Sequence, residues 1–116
     1  MKTIIAGSRD IVDYSALEKA IGGCDWNITE VVCGGARGVD LLGERWARNN
    51  NINIEYYIPD WDKYGKSAGY IRNSLMADNA EALIAIWDNK SRGTKHMIDL
   101  AYEKGLKVYI MYVTKD

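Results

Sequence analysis

The sequence predicts an α/β fold: a single-domain, Rossmann-like three-layer sandwich with a mainly parallel five-stranded sheet. Three observations carry that expectation. The chain has 116 residues, the size of one domain, so 1–116 is read as a single unit. Its 47% hydrophobic and 27% charged residues are the balance of a packed protein rather than a disordered one. Short apolar runs alternate strictly with helical periodicities. At this length, such alternation calls for right-handed crossovers and a parallel sheet covered by helices on both faces.

The first strand is Lys2 to Ala6, an apolar run stopped by Gly7. Ser15-Ala-Leu-Glu18 matches a capping box, and Leu17, Ala20 and Ile21 follow at helical spacing until Gly22-Gly23. Glu30 to Cys33 is a second strand, cut off by Gly34-Gly35. From Gly38 to Asn49, Val39, Leu42, Trp46 and Ala47 form one apolar helical face. Ile52 to Ile58 alternates and is rich in β-branched residues, so it is a third strand, closed by Pro59. Asp60 to Gly69 is expected as an aromatic, charged loop, and Tyr70 to Asn79 has Ile71, Leu75 and Met76 near helical spacing. Ala82 to Trp87 is continuously apolar, as a central parallel strand should be. Asp88 to Gly93 is a polar turn, Thr94 to Lys104 a helix with Met97, Ile98 and Ala101 inward, and Leu106 to Val113 the fifth strand.

Composition excludes several classes. No apolar run approaches the ~20 residues of a membrane span. The apolar run before Gly7 is only Ile4-Ile5-Ala6, too short for a signal-peptide core, so the expected compartment is the cytosol. Cys24, Cys33 and His96 are too few for a structural zinc site of roughly four ligands, and no metal or cofactor is expected. A disulfide between the two cysteines would be unusual in the cytosol. A net charge of −1 argues against a general nucleic-acid coat, so any bound anion must be held by local charge. Of the six arginines, Arg45 and Arg48 fall within a helix, whereas Arg9, Arg37, Arg72 and Arg92 fall near glycine-rich or turn-like sequence. A homo-oligomer is expected, because a small α/β domain leaves sheet edge or helical surface to cover.

In an open parallel sheet, ligands bind beyond the carboxyl ends of the strands, near the topological switch point. Unusual residues sit at those ends. Strand one runs into Gly7-Ser8-Arg9-Asp10, strand two into Gly34-Gly35-Ala36-Arg37-Gly38-Val39-Asp40, and strand four into Asp88 and then Ser91-Arg92-Gly93-Thr94. A further helix begins close to Arg72-Asn73. Glycines let backbone N–H groups approach an anion, helix N-termini attract it, and arginine offers a planar fork for phosphate. The candidate ligand-binding set is therefore Gly7, Ser8, Arg9, Gly34, Gly35, Arg37, Gly38, Asp40, Arg72, Asn73, Ser91, Arg92, Gly93 and Thr94. Neither G-x-G-x-x-G nor G-x-x-x-x-G-K-[ST] occurs, which argues against a plain dinucleotide dehydrogenase or a P-loop ATPase.

Arg37 and Asp40 are three apart at a helix start, so they form either a local ion pair or a phosphate contact beside a ribose contact. Ser91 and Thr94 suit helix caps as well as ligands. Trp61, Tyr64 and Tyr70 suit base stacking and a subunit contact equally. Trp46 is expected in the core, and Trp87 at the crevice, lining or closing it. Lys95 and His96 are expected to be exposed, His96 with no catalytic role.

The segment Gly34-Gly35-Ala36-Arg37-Gly38-Val39-Asp40 is similar to the strand-two motif of the DNA-processing protein A (Smf) family. Together with Gly7-Ser8-Arg9 and Ser91-Arg92-Gly93-Thr94, it resembles the SLOG superfamily, named for Smf/DprA and the LOG ("lonely guy") proteins. Within it, the loop Asp60 to Gly69 and the following Arg72-Asn73 look like a small stand-alone bacterial and phage subfamily. The resemblance implies a Rossmann-like fold that binds nucleotides or nucleotide-derived ligands. LOG proteins hydrolyse a nucleotide N-glycosidic bond and carry Pro-Gly-Gly-x-Gly-Thr-x-x-Glu. Here Gly93-Thr94 match the Gly-Thr pair, but the glutamate position falls on Met97, which can neither stabilise an oxocarbenium-like centre nor activate water. Hydrolysis would need another carboxylate, for which Asp40 and Asp88 are the candidates and Asp99 lies further along its helix.

Three functions follow in order. The first is binding of a nucleotide or nucleotide-derived phosphorylated ligand, as sensor or carrier. The second is N-glycosidic hydrolysis of a nucleotide. The third is single-stranded nucleic-acid binding.

Overall fold

A computed structural model describes residues 1–114. Five strands form one sheet: β1 (Lys2–Gly7), β2 (Glu30–Cys33), β3 (Asn53–Tyr56), β4 (Ala82–Trp87) and β5 (Lys107–Tyr112). Five helices connect them: α1 (Tyr14–Gly23), α2 (Val39–Asn49), α3 (Trp61–Tyr64), α4 (Ala68–Asp78) and α5 (Arg92–Glu103). The order across the sheet is β3-β2-β1-β4-β5, and every neighbouring pair is parallel. The expected α/β architecture is therefore present, with all strands parallel.

The reason lies in adjacent residues of β1. Ile4 packs with Leu83, Met97 and Ala101 on the face covered by α4 and α5. Ile5 packs with Leu17, Leu42 and Ile84 on the face covered by α1 and α2. Side chains alternate along a strand, so apolar neighbours in sequence must feed two opposite cores. Trp46, expected in the core, packs half-buried against the second of these. Both cysteines are free, and Cys33 is buried. Among the described residues, no helix is long and apolar enough to cross a membrane.

Element boundaries differ from the sequence expectation most clearly at four places. Helix α1 is capped by Asp13, whose carboxylate accepts the Ser15 N–H at 3.0 Å and the Ser15 hydroxyl at 2.8 Å. The capping box starting at Ser15 therefore does not form, because the preceding carboxylate has already taken both donors. The expected loop from Asp60 is largely helical. Asp60 caps α3 by accepting the Lys63 N–H at 3.1 Å, a 3₁₀ turn spans Gly65–Ser67, and α4 starts at Ala68 rather than Tyr70. Helix α5 starts at Arg92 because Ser91 is its cap, accepting the Thr94 N–H at 3.3 Å. Strand β3 is shorter than the alternating run.

The two-faced core makes a direct prediction. Ile4→Ala and Ile5→Ala should each lower stability by about 2–5 kcal/mol in denaturant melts. A one-sided sheet would leave one of the two near neutral.

Candidate functional site

The strand order places the switch point between β1 and β4, since the chain leaves β1 in one direction for β2 and arrives from the other at β4. A cleft opens there, at the carboxyl ends of the strands. Its deep part is a cavity of ≈ 80 Å³ bounded by Arg9, Asp40, Arg72, Asn73, Gly93 and Thr94 over a floor of Ala6, Met76 and Met97. A groove continues past Ser8, Asp88, Lys90 and Ser91, and another past Gly34, Gly35, Arg37 and Trp61. Arg9 borders all three.

The site is assembled by short hydrogen bonds from the strand ends. Ser8 is buried; its N–H donates to the Ile86 carbonyl at 3.2 Å, and its hydroxyl accepts the Asp88 N–H at 3.3 Å. It therefore ties the end of β1 to the end of β4. Arg9 follows at the surface with no hydrogen-bond or ion-pair partner among the described residues. Gly38 lies under it: φ is +78°, and a Cβ there would come within 2.5 Å of the Arg9 carbonyl oxygen. A side chain at position 38 would displace the Arg9 backbone.

Arg72 reaches across from α4. Its Nη1 donates to the Gly34 carbonyl at 2.8 Å and its Nε to Asn73 Oδ1 at 3.0 Å. A Cβ at Gly34 would lie 2.0 Å from Arg72 Nη1, so the guanidinium fills the space the missing side chain leaves. Gly34 thus makes room for an arginine of the protein itself. Asn73 is buried and extends the chain of contacts, its Nδ2 lying 3.3 Å from the Gly93 carbonyl and 3.2 Å from His96 Nδ1. The turn at the start of α5 is closed by Ser91 and Thr94, whose hydroxyls are 2.9 Å apart, and by Trp87 Nε1 donating to the Ser91 carbonyl at 3.0 Å. Trp87 thus holds this turn and borders none of the three cavities.

Charge is unevenly distributed. Burial pushes the Asp40 carboxyl up to about 6, against the pull of the Ala36 N–H and the Arg72 guanidinium. The Ala36 N–H donates to Asp40 Oδ2 at 3.1 Å. Burial also lowers Arg72 from its ordinary value, Asp40 opposing and the nearby Arg9 charge adding to the shift. Asp88 is held below the usual carboxylate range by the N–H groups of Ser91 and Lys90, at 2.9 and 2.8 Å. The cleft therefore has two converging guanidiniums, Arg9 and Arg72, against one buried carboxyl that resists ionisation.

Of the sequence-derived candidates, Gly7, Ser8, Arg9, Gly34, Gly35, Arg37, Asp40, Arg72, Asn73, Ser91, Gly93 and Thr94 border the cleft. Gly38 supports it from below. Arg92 is exposed and borders none of it, because two residues before inward-facing Thr94 places it roughly 160° round the helix. Arg37 and Asp40 form no ion pair: Gly38 turns the chain before α2, leaving Arg37 exposed outside the helix and Asp40 buried inside it. His96 is half-buried rather than exposed, held by Asn73 and by an edge contact to Tyr70 with centroids 4.6 Å apart. Burial lowers its pKa, so the neutral ring accepts from Asn73. Lys95 is exposed and pairs with Asp99 at 2.8 Å, which turns Asp99 away from the cleft. Ile58, Pro59, Lys66 and Met76 also border the cleft and were not anticipated. Pro59, marking the end of β3, was the available signal for the first two. Among the described residues, no group of three or more His, Cys, Asp or Glu side chains could hold a metal.

Comparison with known proteins bears on the family and the fold. Residues 1–64 match the family described as YAcAr: YspA, cpYpsA-related SLOG family. The chain is 32% identical over 117 residues to the Gene 61 protein of Mycobacterium phage D29, covering 92% of this chain and 93% of that one. Its fold is similar to DNA processing protein A (DprA) from Streptococcus pneumoniae, with a TM-score of 0.75 at 20% identity over 94% of this chain. The chain spans about half of that protein, 49% of its length.

Two stability predictions follow. Asp40 is raised from 3.8 to about 6 in the fold, so its neutral form is favoured there. That contribution is complete below pH ~4 and is lost as pH rises through about 6, a change of about 3 kcal/mol by pH 7. Asp40→Asn should therefore gain on the parent by up to that amount between pH 4 and 7 in denaturant melts, whereas a constant offset would contradict the assignment. Gly34→Ala should cost about 1–3 kcal/mol, and much less in an Arg72→Ala background, where no guanidinium occupies the space.

Proposed function

This chain belongs to the YspA, cpYpsA-related SLOG family, and from that premise we propose that it binds a nucleotide or nucleotide-derived phosphorylated ligand in the β1/β4 cleft. One observation supports this above the others: Arg9 and Arg72 converge on a cavity at the switch point that also opens onto the first turn of α5. Bringing two cations together and half-burying one is unfavourable in the free protein. An anion between them removes that cost and gains charge-assisted hydrogen bonds. The N–H groups of Arg92 and Gly93, in the first turn, have no intrahelical partner, and Gly93 borders the cavity. Arg37 stands at the outer rim, able to meet a second anionic group.

Binding without turnover, as in a sensor or carrier, is favoured over hydrolysis by the cavity floor. Met76 and Met97 are apolar, so no group there activates water or stabilises a cationic sugar. The second reading, N-glycosidic hydrolysis, has one observation in its favour: Asp40 borders the same cavity with a pKa raised to about 6, as a general acid needs. Asp88 is a poorer candidate because two backbone N–H groups hold its carboxylate in a turn.

The test is titration calorimetry against nucleoside monophosphates, cyclic nucleotides and NAD, with chromatography of the same samples. Saturable binding with intact ligand is expected. Arg9→Ala should weaken it by about 1.5–3 kcal/mol, roughly 10- to 150-fold, without changing the melting temperature of the free protein. Released base would favour the hydrolytic reading, and absence of heat across the panel would overturn both.

A further inference from the structure

The phosphate contacts leave the outer end of the cleft without a role, although its side chains are unusual. Trp61 is 50% exposed and Ile58 65% exposed. Large apolar side chains that face water beside a polar cleft mark a contact surface. Trp61 stands at the junction of two compartments that share Arg9 and Arg72. One, of ≈ 460 Å³, is walled by the Gly34–Arg37 segment, Ile58, Pro59 and Trp61. The other, of ≈ 200 Å³, is walled by Trp61, Lys66, Gly69 and Tyr70.

The indole is positioned before any ligand arrives. Asp60 caps the short helix that carries it. The ring lies against the start of α4, where a Cβ on Gly69 would be 3.5 Å from its outer carbon. Both compartments lead inward to the same guanidiniums, but they differ in chemistry. The Lys66 side adds a third cation to Arg9 and Arg72 and suits a second anionic group. The Ile58 side offers an apolar wall, an aromatic wall and the peptide edge of exposed Gly35. A planar heterocycle needs those things together: faces to stack on and peptide groups for its edge.

Resting on the binding function argued above, we propose that Trp61 is a base-stacking platform and that the ligand is a nucleoside phosphate bound in one orientation. Its phosphate lies inward at Arg9 and the first turn of α5, and its base lies outward in the compartment between Trp61 and Ile58–Pro59. The same base-plus-phosphate chemistry is presented by a free nucleotide and by a nucleotide within a single strand.

The experiment measures binding of four probes to the parent, Trp61→Ala and Trp61→Phe: inorganic phosphate, ribose 5-phosphate, the common nucleoside 5′-monophosphates, and an oligothymidylate of about 12 nucleotides. In the parent, base-bearing probes should bind more tightly than ribose 5-phosphate. Trp61→Ala should weaken the base-bearing probes roughly 5- to 150-fold and leave ribose 5-phosphate unchanged, while Trp61→Phe retains most of the affinity. Loss confined to the monophosphates identifies a free nucleotide as the source, and loss on the oligonucleotide identifies a strand. If Trp61→Ala leaves the ratio of nucleotide to ribose 5-phosphate affinity unchanged, the stacking assignment is wrong while the phosphate site stands. If no probe binds the parent, both fail. Trp61 is half exposed, and melting curves on both variants verify that the fold is intact.

Discussion

The hydrogen bond from Arg72 Nη1 to the Gly34 carbonyl sets the shape of the cleft. It joins the end of β2 to α4 through two residues 38 apart in sequence. It requires that position 34 have no side chain, because the guanidinium occupies that volume. It also fixes the direction of the remaining donors. With Nη1 committed to Gly34 and Nε to Asn73, the guanidinium is held edge-on to both neighbours. Asn73 in turn holds the Gly93 carbonyl, so one arginine references β2, α4 and the start of α5 to each other.

The same arrangement gathers positive charge in one place on a chain whose net charge is −1. Global charge sets long-range attraction, but capture depends on what is assembled within a few ångströms. Here Arg9, without a partner among the described residues, and Arg72, half-desolvated, outweigh Asp40, whose carboxyl burial holds toward the neutral form. Asp40 is spent internally on the Ala36 N–H and stabilises the bend of the glycine-rich loop. The floor beneath is methionine, so the polar groups are confined to the walls and mouth.

Much of this was legible in the sequence because the relevant signals were local. Adjacent isoleucines in β1 and the continuous apolar run of β4 give two-sided burial, and glycine-rich ends mark the carboxyl edge where the cleft must lie. What was not legible depends on which side chain reaches across space. Arg72 lies one turn into α4, and nothing in its local sequence says that it fills the volume beside Gly34. Asp13 takes the cap because its carboxylate accepts both the N–H and the hydroxyl of Ser15, and sequence does not rank the two residues as caps. Residues 61–67 read as a loop because their helical turns are too short to show periodicity. His96 looked exposed from its place on α5, since its burial comes from Tyr70 and Asn73 on a neighbouring helix. The spacing of Arg37 and Asp40 gives no sign that Gly38, with φ +78°, turns the chain between them and starts α2 only at Val39.

The strand order has a bearing on how the chain comes into being during synthesis. β1 emerges first but lies at the centre, with its second neighbour, β4, supplied by residues 82–87. A nascent chain that has produced only β1, β2 and β3 can cover one sheet face with α1 and α2. Its other face lacks Leu83, Met97 and Ala101, and β1 has an open edge. The cleft needs Arg72, Asn73 and Gly93 as well, so it is absent until the last third of the chain has been made. Long-range parallel pairing of this kind is slow, and an open central edge is vulnerable to misassembly while it waits. The cleft therefore takes shape only after residue 93 has been made, and anything that binds the folded cleft but not the open chain would stabilise that arrangement.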